Sequence, residues 1–278
     1  MDPALIRQFQ AAIAGKERDV DLFGAVMLIA RLGDPKADPH AVARELDLIA
    51  ESVAESITPG ARPDEVAHAI DHELFVVAGF AGNSNRYAEP ENSYLDQVIA
   101  RRTGIPIALS LVYMEVAERV GLQCDGIGYP GHFIVRCGDP EDPIYVDPFH
   151  QGVRIDREEL LARLRGQNLG GATPESFLSA VTRRQILQRV LRNLHLIFRE
   201  RRDLERWLSV VEMALCIEPW NAALVGERGM LHYRAGRHEL ALTDLQRYVE
   251  ASSPEALTPG TRRLIDELRL QLGRGRVE

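Results

Sequence analysis

The stretch GYPGHFIVRCGDPEDPIYVDPF, residues 128–149, decides how the chain is read. His132 stands before an alternating run, and Asp147 stands near the end of the next one. The segment GDPEDP between them, residues 138–143, is turn chemistry, so the runs read as neighbouring strands. Such strands bring an imidazole and a carboxylate within hydrogen-bond reach. The carboxylate then holds the tautomer of a histidine that serves a nucleophile. A core histidine satisfied by a buried carboxylate would show the same spacing.

Two other readings of this stretch carry less. Gly126–Gly131 matches G-x-G-x-x-G, but a strand follows where a dinucleotide site needs a helix, so the segment reads as a tight turn that aims His132. His150 lies three residues after Asp147, and two histidines with one carboxylate form a metal-ligand set. His150 follows Pro148 in a loop and would have to curl back, so it reads as a solvent-facing histidine. Neither a metal nor any other cofactor is expected.

The order around the stretch is helices, a small antiparallel sheet, then helices, which indicates an α+β domain ending near residue 180. Upstream, DLFGAVMLIARL is apolar on nearly every side. In DPHAVARELDLIAESVAESI, Val42, Leu46, Ile49 and Val53 fall on one helical face, with Asp38 as N-cap and Pro39 at the first helical position. Ser93 is the expected cap of a short helix that Gly104 closes. Pro106 opens a central core helix that Gly121 ends. Strands are expected at 123–129, 132–137 and 144–147.

Residues 188–255 repeat with a period of 34 residues: Leu191 pairs with Val225, Leu208 with Leu242 and Val211 with Leu245. RRDLERWL aligns with AGRHELAL at the inter-helix turn, and CIEP and ASSP end the units. Gly229, Gly236 and Ala241 occupy small-residue positions in the second unit, whereas Trp207 sits at one in the first. The period and pattern resemble the tetratricopeptide repeat, and PGTRRLIDELRLQL reads as a capping helix. The domains are therefore placed at 1–182 and 183–278.

Net charge is −8 over 278 residues, which argues against general nucleic-acid binding. Residues 183–278 hold 17 Lys+Arg and 13 Asp+Glu, a balance of +4, which leaves −12 for residues 1–182. The basic balance suits an acidic peptide or a C-terminal carboxylate as guest, or the acidic core of the same chain. Docking on that core through Trp207 or Trp220 is expected, because two repeats are fewer than the roughly three needed for stability. Cys124, Cys137 and Cys216 are odd in number with no short spacing, so reduced thiols and a cytoplasmic location are expected. No signal peptide or membrane span is expected.

The motifs NSYLDQV, RRTGIPI, PGHF and VDPF, residues 92–98, 101–107, 130–133 and 146–149, resemble the transglutaminase-like core of the bacterial SirB family. The resemblance covers roughly residues 20–165, and that family also carries tetratricopeptide repeats, here at 185–255. It implies a papain-like design in which a Cys opens the central helix, with His132 and Asp147 as its partners. The Gly-x-Cys run of the family falls on Gly104-Ile105-Pro106, so Pro106 stands where the nucleophile is usual. A prolyl ring has no thiol. A non-enzymatic protein- or peptide-binding chain is the first expectation. A hydrolase or acyl transferase using His132, Asp147 and either water or Ser110, one turn further along the helix, is the second. Asn92, Tyr94 and Tyr129 are candidate cleft residues, and Cys124 and Cys137 are expected to be structural thiols.

Overall fold

The computed structural model describes residues 2–253 and 259–274. The chain divides into two units, Gly15–Val190 and a second that joins Met1–Ala14 to Leu191–Glu278. Helix α1 (Pro3–Ala12) is thus grouped with the repeats, where the sequence reading placed it with the core.

The unit Gly15–Val190 begins with α2 (Leu22–Ala30), α3 (Pro39–Ser56) and α4 (Pro63–Asp71). Asp38 caps α3 by accepting from His40 N at 2.9 Å, with Pro39 in the first turn. Val42, Leu46, Ile49 and Val53 form its buried face, as their spacing requires. α4 passes directly into a π-helical turn, His72–Val77. A two-residue strand β1 (Ala81–Gly82), helix α5 (Leu95–Arg101) and strand β2 (Thr103–Gly104) follow, with β1 parallel to β2. Tyr94, rather than Ser93, holds the N-cap position of α5. Arg102 ends that helix in the left-handed region at φ 53°, so Gly104 is free to join β2.

Helix α6 (Pro106–Arg119) is the centre of this unit. Eleven of its residues, from Pro106 to Ala117, are buried. It packs against α3, α4 and α5 and against the strands β3 (Cys124–Ile127) and β4 (Ile134–Cys137). Each buried Leu, Val or Ile there contributes about 1.5–3 kcal/mol through removal from water. Gly121, at φ 78°, turns the chain out of the helix. The sheet continues with β5 (Ile144–Asp147) and β6 (Val153–Arg154), in the order β3-β4-β5-β6, every pair antiparallel. Helix α7 (Arg157–Leu164) adds Leu160, Leu161 and Leu164 to a core shared with Ile127, Ile134 and Tyr145.

The β3–β4 register sets Cys124 opposite Cys137, and the two form a disulfide with Cα atoms 4.1 Å apart. The expectation of reduced structural thiols is corrected for this pair. A separation of 13 residues carries no motif, and only the antiparallel register makes the two cysteines neighbours. The cysteine count therefore no longer supports a reducing compartment; Cys216 is a free thiol. Among the described residues, no helix is long and apolar enough to cross a membrane.

Helix α8 (Arg183–Arg201) leads into the repeats, followed by α9 (Leu204–Ile217), α10 (Ala222–Arg234), α11 (His238–Ala251) and α12 (Pro259–Arg274). α9 and α11 begin 34 residues apart, and the turns before them are the same turn. Arg202 N bonds Arg199 O and Asp203 N bonds Phe198 O, while Gly236 N bonds Tyr233 O and Arg237 N bonds His232 O. Arg202 and Gly236 are both left-handed, at φ 55° and 71°. Gly226 and Gly229 let α10 and α11 approach closely: a Cβ at either would meet Tyr248 at 2.8 Å or Leu245 at 2.9 Å. Trp207 is buried against His195, Glu227 and Arg234 of its own unit, and Trp220 is exposed. Pro254, read as the end of the second repeat, lies outside the described residues.

Two expectations follow. Arg202 holds a left-handed turn that its counterpart fills with glycine, so Arg202→Gly should stabilise the protein by about 0.5–1 kcal/mol in denaturant unfolding. No gain, or a loss, would show that the arginine side chain outweighs its backbone strain. The second concerns Asp71, whose Oδ2 accepts from Arg154 Nη2 at 2.5 Å and so ties α4 to β6. Burial lifts its carboxyl from 3.8 to about 6, although Arg154 and Tyr113 pull the other way. A raised acid holds its proton longer folded than unfolded, so its contribution to stability falls as pH climbs through that window. The stability of Asp71→Asn relative to wild type should therefore rise by up to about 3 kcal/mol between pH ~4 and ~7. A pH-independent difference would count against this assignment.

Candidate functional site

Asp147 closes β5 and its carboxylate gathers the site. Oδ1 accepts from the backbone N–H groups of Phe149 and His150 at 3.1 and 3.3 Å. Oδ2 lies 2.7 Å from His132 Nε2 and 2.8 Å from His150 Nδ1. The backbone bonds are an N-cap: Asp147 precedes a 3-10 turn, Pro148–His150, with Pro148 at its first position. That turn folds His150 back, so the loop histidine expected to face solvent alone is bonded to the same oxygen as His132. Its side chain is still 63% accessible. The signal was present as an Asp-Pro pair with a histidine three residues after the Asp, a spacing at which a capped turn stacks side chains.

His132 is held from two sides. It sits in the turn before β4, where its N–H donates to Tyr129 O at 3.0 Å. The Arg189 guanidinium donates to Tyr129 O at 3.1 Å and also to His132 O, so it clamps both ends of that turn. Arg189 was not singled out by the sequence, because a helical arginine beyond the motifs looks solvated. Phe149 stands edge-on to both imidazoles, at 6.0 Å from His132 and 5.1 Å from His150, and Tyr87 stands edge-on to Phe149 at 6.3 Å. Gly82 permits β1 to pass this turn, since a Cβ there would lie 2.5 Å from Phe149 O.

Burial would raise the Asp147 carboxyl, but hydrogen bonds and charge from His132 and His150 overcome it and hold the group below its ordinary value. The carboxylate is 6% accessible and the His132 ring 22%. The arrangement is thus an ionised, buried acceptor with two partly accessible imidazoles.

The other candidates lie deeper. Pro106 is buried at the first position of α6. Ser110 is fully buried, and its hydroxyl donates to Phe133 O at 3.5 Å. The first turns of α6 therefore lie against the chain segment that carries His132. Asn92 is fully buried: its amide donates to Arg86 O at 2.7 Å and Tyr87 O at 3.3 Å, and its oxygen accepts from Asn83 at 3.1 Å. It pins the 83–90 loop and so sets Tyr87 indirectly. Tyr94 is buried against Gly33, and Tyr129 donates its hydroxyl to Leu160 O at 2.8 Å within the core. The residues brought together are therefore His132, Asp147 and His150, with Phe149 and Arg189 as supports.

Residues 40–192 match the transglutaminase-like superfamily, and residues 194–273 match the tetratricopeptide repeat. A UPF0162 protein of Xylella fastidiosa (strain Temecula1) is 34% identical over 84% of this chain and 85% of its own length. One from Vibrio cholerae is 30% identical over 62% of this chain and 64% of its own. F-box only protein 21 of Mus musculus is 35% identical over 47% of this chain but only 21% of its own length. No solved structure matches. The mixed fold, the superfamily match over more than half of the chain and the bacterial relatives agree: the chain belongs to the transglutaminase-like superfamily, as a UPF0162 protein that joins such a core to tetratricopeptide repeats.

Proposed function

We propose that this is a SirB-type transglutaminase-like protein that has lost covalent catalysis and works by binding a protein or peptide. The observation that carries the reading is the start of α6. A prolyl residue, Pro106, opens this helix where the family resemblance puts the nucleophilic Cys, and the hydroxyl of Ser110, one turn on, is buried and donates to a backbone carbonyl. A helix N-terminus lowers a thiol's pKa and makes it a nucleophile; a prolyl ring there gains nothing from it. Imidazole and carboxylate alone leave only acid–base assistance, typically 10²–10⁴-fold. The repeats supply the recognition element, since tetratricopeptide arrays present concave binding surfaces. A cytoplasmic location and the domain limits 1–182 and 183–278 belong to the same proposal.

The 2.7 Å contact between His132 and Asp147 supports a second reading, a hydrolase in which His132 activates water and Asp147 orients it. One experiment separates the two. Wild type, His132→Ala and Pro106→Cys are assayed for glutamine deamidation, amine incorporation and peptide cleavage, and each is reacted with iodoacetamide across pH. Wild type should show no turnover, and Pro106→Cys should gain a thiol that alkylates at lower pH than Cys216. Wild-type turnover that His132→Ala abolishes would overturn the binding-protein reading in favour of the hydrolase.

A further inference from the structure

We infer that His132, Asp147 and His150 form a binding site for a divalent transition-metal ion of the zinc class. Three donor atoms, one from each residue, lie within 4.8 Å of one another. Two of them, His132 Nε2 and His150 Nδ1, point at the third, Asp147 Oδ2, from 2.7 and 2.8 Å. A tetrahedral ion takes nitrogen at about 2.0–2.1 Å and carboxylate oxygen at about 2.0–2.2 Å, which sets neighbouring ligands roughly 3.3 Å apart. Each nitrogen–oxygen distance therefore needs to open by about half an ångström, and the two nitrogens, which lie within 4.8 Å of each other, need to close by up to about 1.5 Å, for an ion to replace the two hydrogen bonds.

The surroundings fit that exchange. Asp147 Oδ1 is held by the Phe149 and His150 N–H groups, so the carboxylate keeps its orientation while Oδ2 serves as a single ligand. The His132 turn is clamped by Arg189, so one imidazole is fixed before any ion arrives. His150 has a largely accessible side chain and supplies the adjustable third arm. Each imidazole faces the ion with an unprotonated nitrogen and keeps its proton on the other one. In a neutral ring this is a change of tautomer with no net proton release.

Two nitrogens and one oxygen select the class of ion. Calcium and magnesium take sets built from oxygen, whereas two imidazoles with one carboxylate suit zinc, iron(II) or cobalt(II). Three protein ligands leave at least one coordination position open, on the side where His150 meets solvent. This inference goes beyond the binding-protein proposal and does not depend on it, because its readout is metal affinity and not turnover.

The test uses the full chain, stripped with a chelator and dialysed. Zn²⁺ is titrated in competition with a chromophoric chelator, Co²⁺ is followed by its visible ligand-field absorption, and melting is recorded with and without each ion. Wild type should bind one ion per chain, show an intense Co²⁺ spectrum and melt higher with Zn²⁺, but not with Mg²⁺. His150→Ala removes one of the four donors to Asp147 but keeps His132 and the backbone cap, so it should fold and melt below wild type by only a few degrees without metal, and should bind Zn²⁺ about 100-fold more weakly or worse. His132→Gln provides a second ligand deletion with the same expected loss. The site is refuted if wild type binds no Zn²⁺, or if both variants bind it as wild type does. It is equally refuted if Cys216→Ser, and neither histidine variant, removes the binding.

Discussion

The site depends on one buried carboxylate with four donors. Asp147 spends one oxygen on the backbone of the turn that follows it and the other on two imidazoles. An unpaired carboxylate at 6% accessibility would be costly, so these donors are what allow it to stay ionised there. The same bonds shape the chain. The N-cap geometry makes the Pro148–His150 turn, the turn returns His150, and Gly82 lets β1 lie against it. A single side chain thereby links the end of a strand, the start of a turn and both histidines, and hydrogen-bond satisfaction and site geometry become one constraint.

Helix α6 is the other fixed element. A helix buried on almost every side has no amphipathic face to orient it, so its position comes from the shapes that surround it. Proline suits the first turn because the missing N–H has no intrahelical partner to lose. Pro106 is therefore a good structural solution at the start of a buried helix. Ser110, one turn on, settles its hydroxyl on Phe133 O and so also serves packing. At this end of the helix, both residues serve local stability.

Much of this could be read from the sequence because it is written in local rules. The cap at Asp38, the buried stripe of α3, the helix from Pro106 to Gly121 and the 34-residue period each depend on residues a few positions apart. His132 and Asp147 were found because a turn between alternating runs implies adjacent strands. What escaped depends on register or on side-chain return. The Cys124–Cys137 bond needs the β3–β4 pairing to be known residue by residue. The return of His150 needs the cap to be recognised as a turn former. Asn92, Tyr94 and Tyr129 are read either as cleft residues or as a cap and packing side chains, and the partners the structure gives them are a loop, a glycine and a core carbonyl.

The repeat unit shows how two repeats are completed. Each tetratricopeptide helix pair leaves an apolar face that the next pair would cover. Here α1 packs against α9 and α12 against α11; α12 lies within the stretch that matches the tetratricopeptide repeat and α1 lies outside it. Phe9 of α1 is fully buried, and so is Leu268 of α12. The sequence reads α12 as a cap and α1 as part of the core. An amphipathic decapeptide at the N-terminus shows a face and gives no indication of its partner, nearly two hundred residues away along the chain. Within this unit, α12 covers α11 from the next position in the chain, while α1 covers α9 from the far end of the chain.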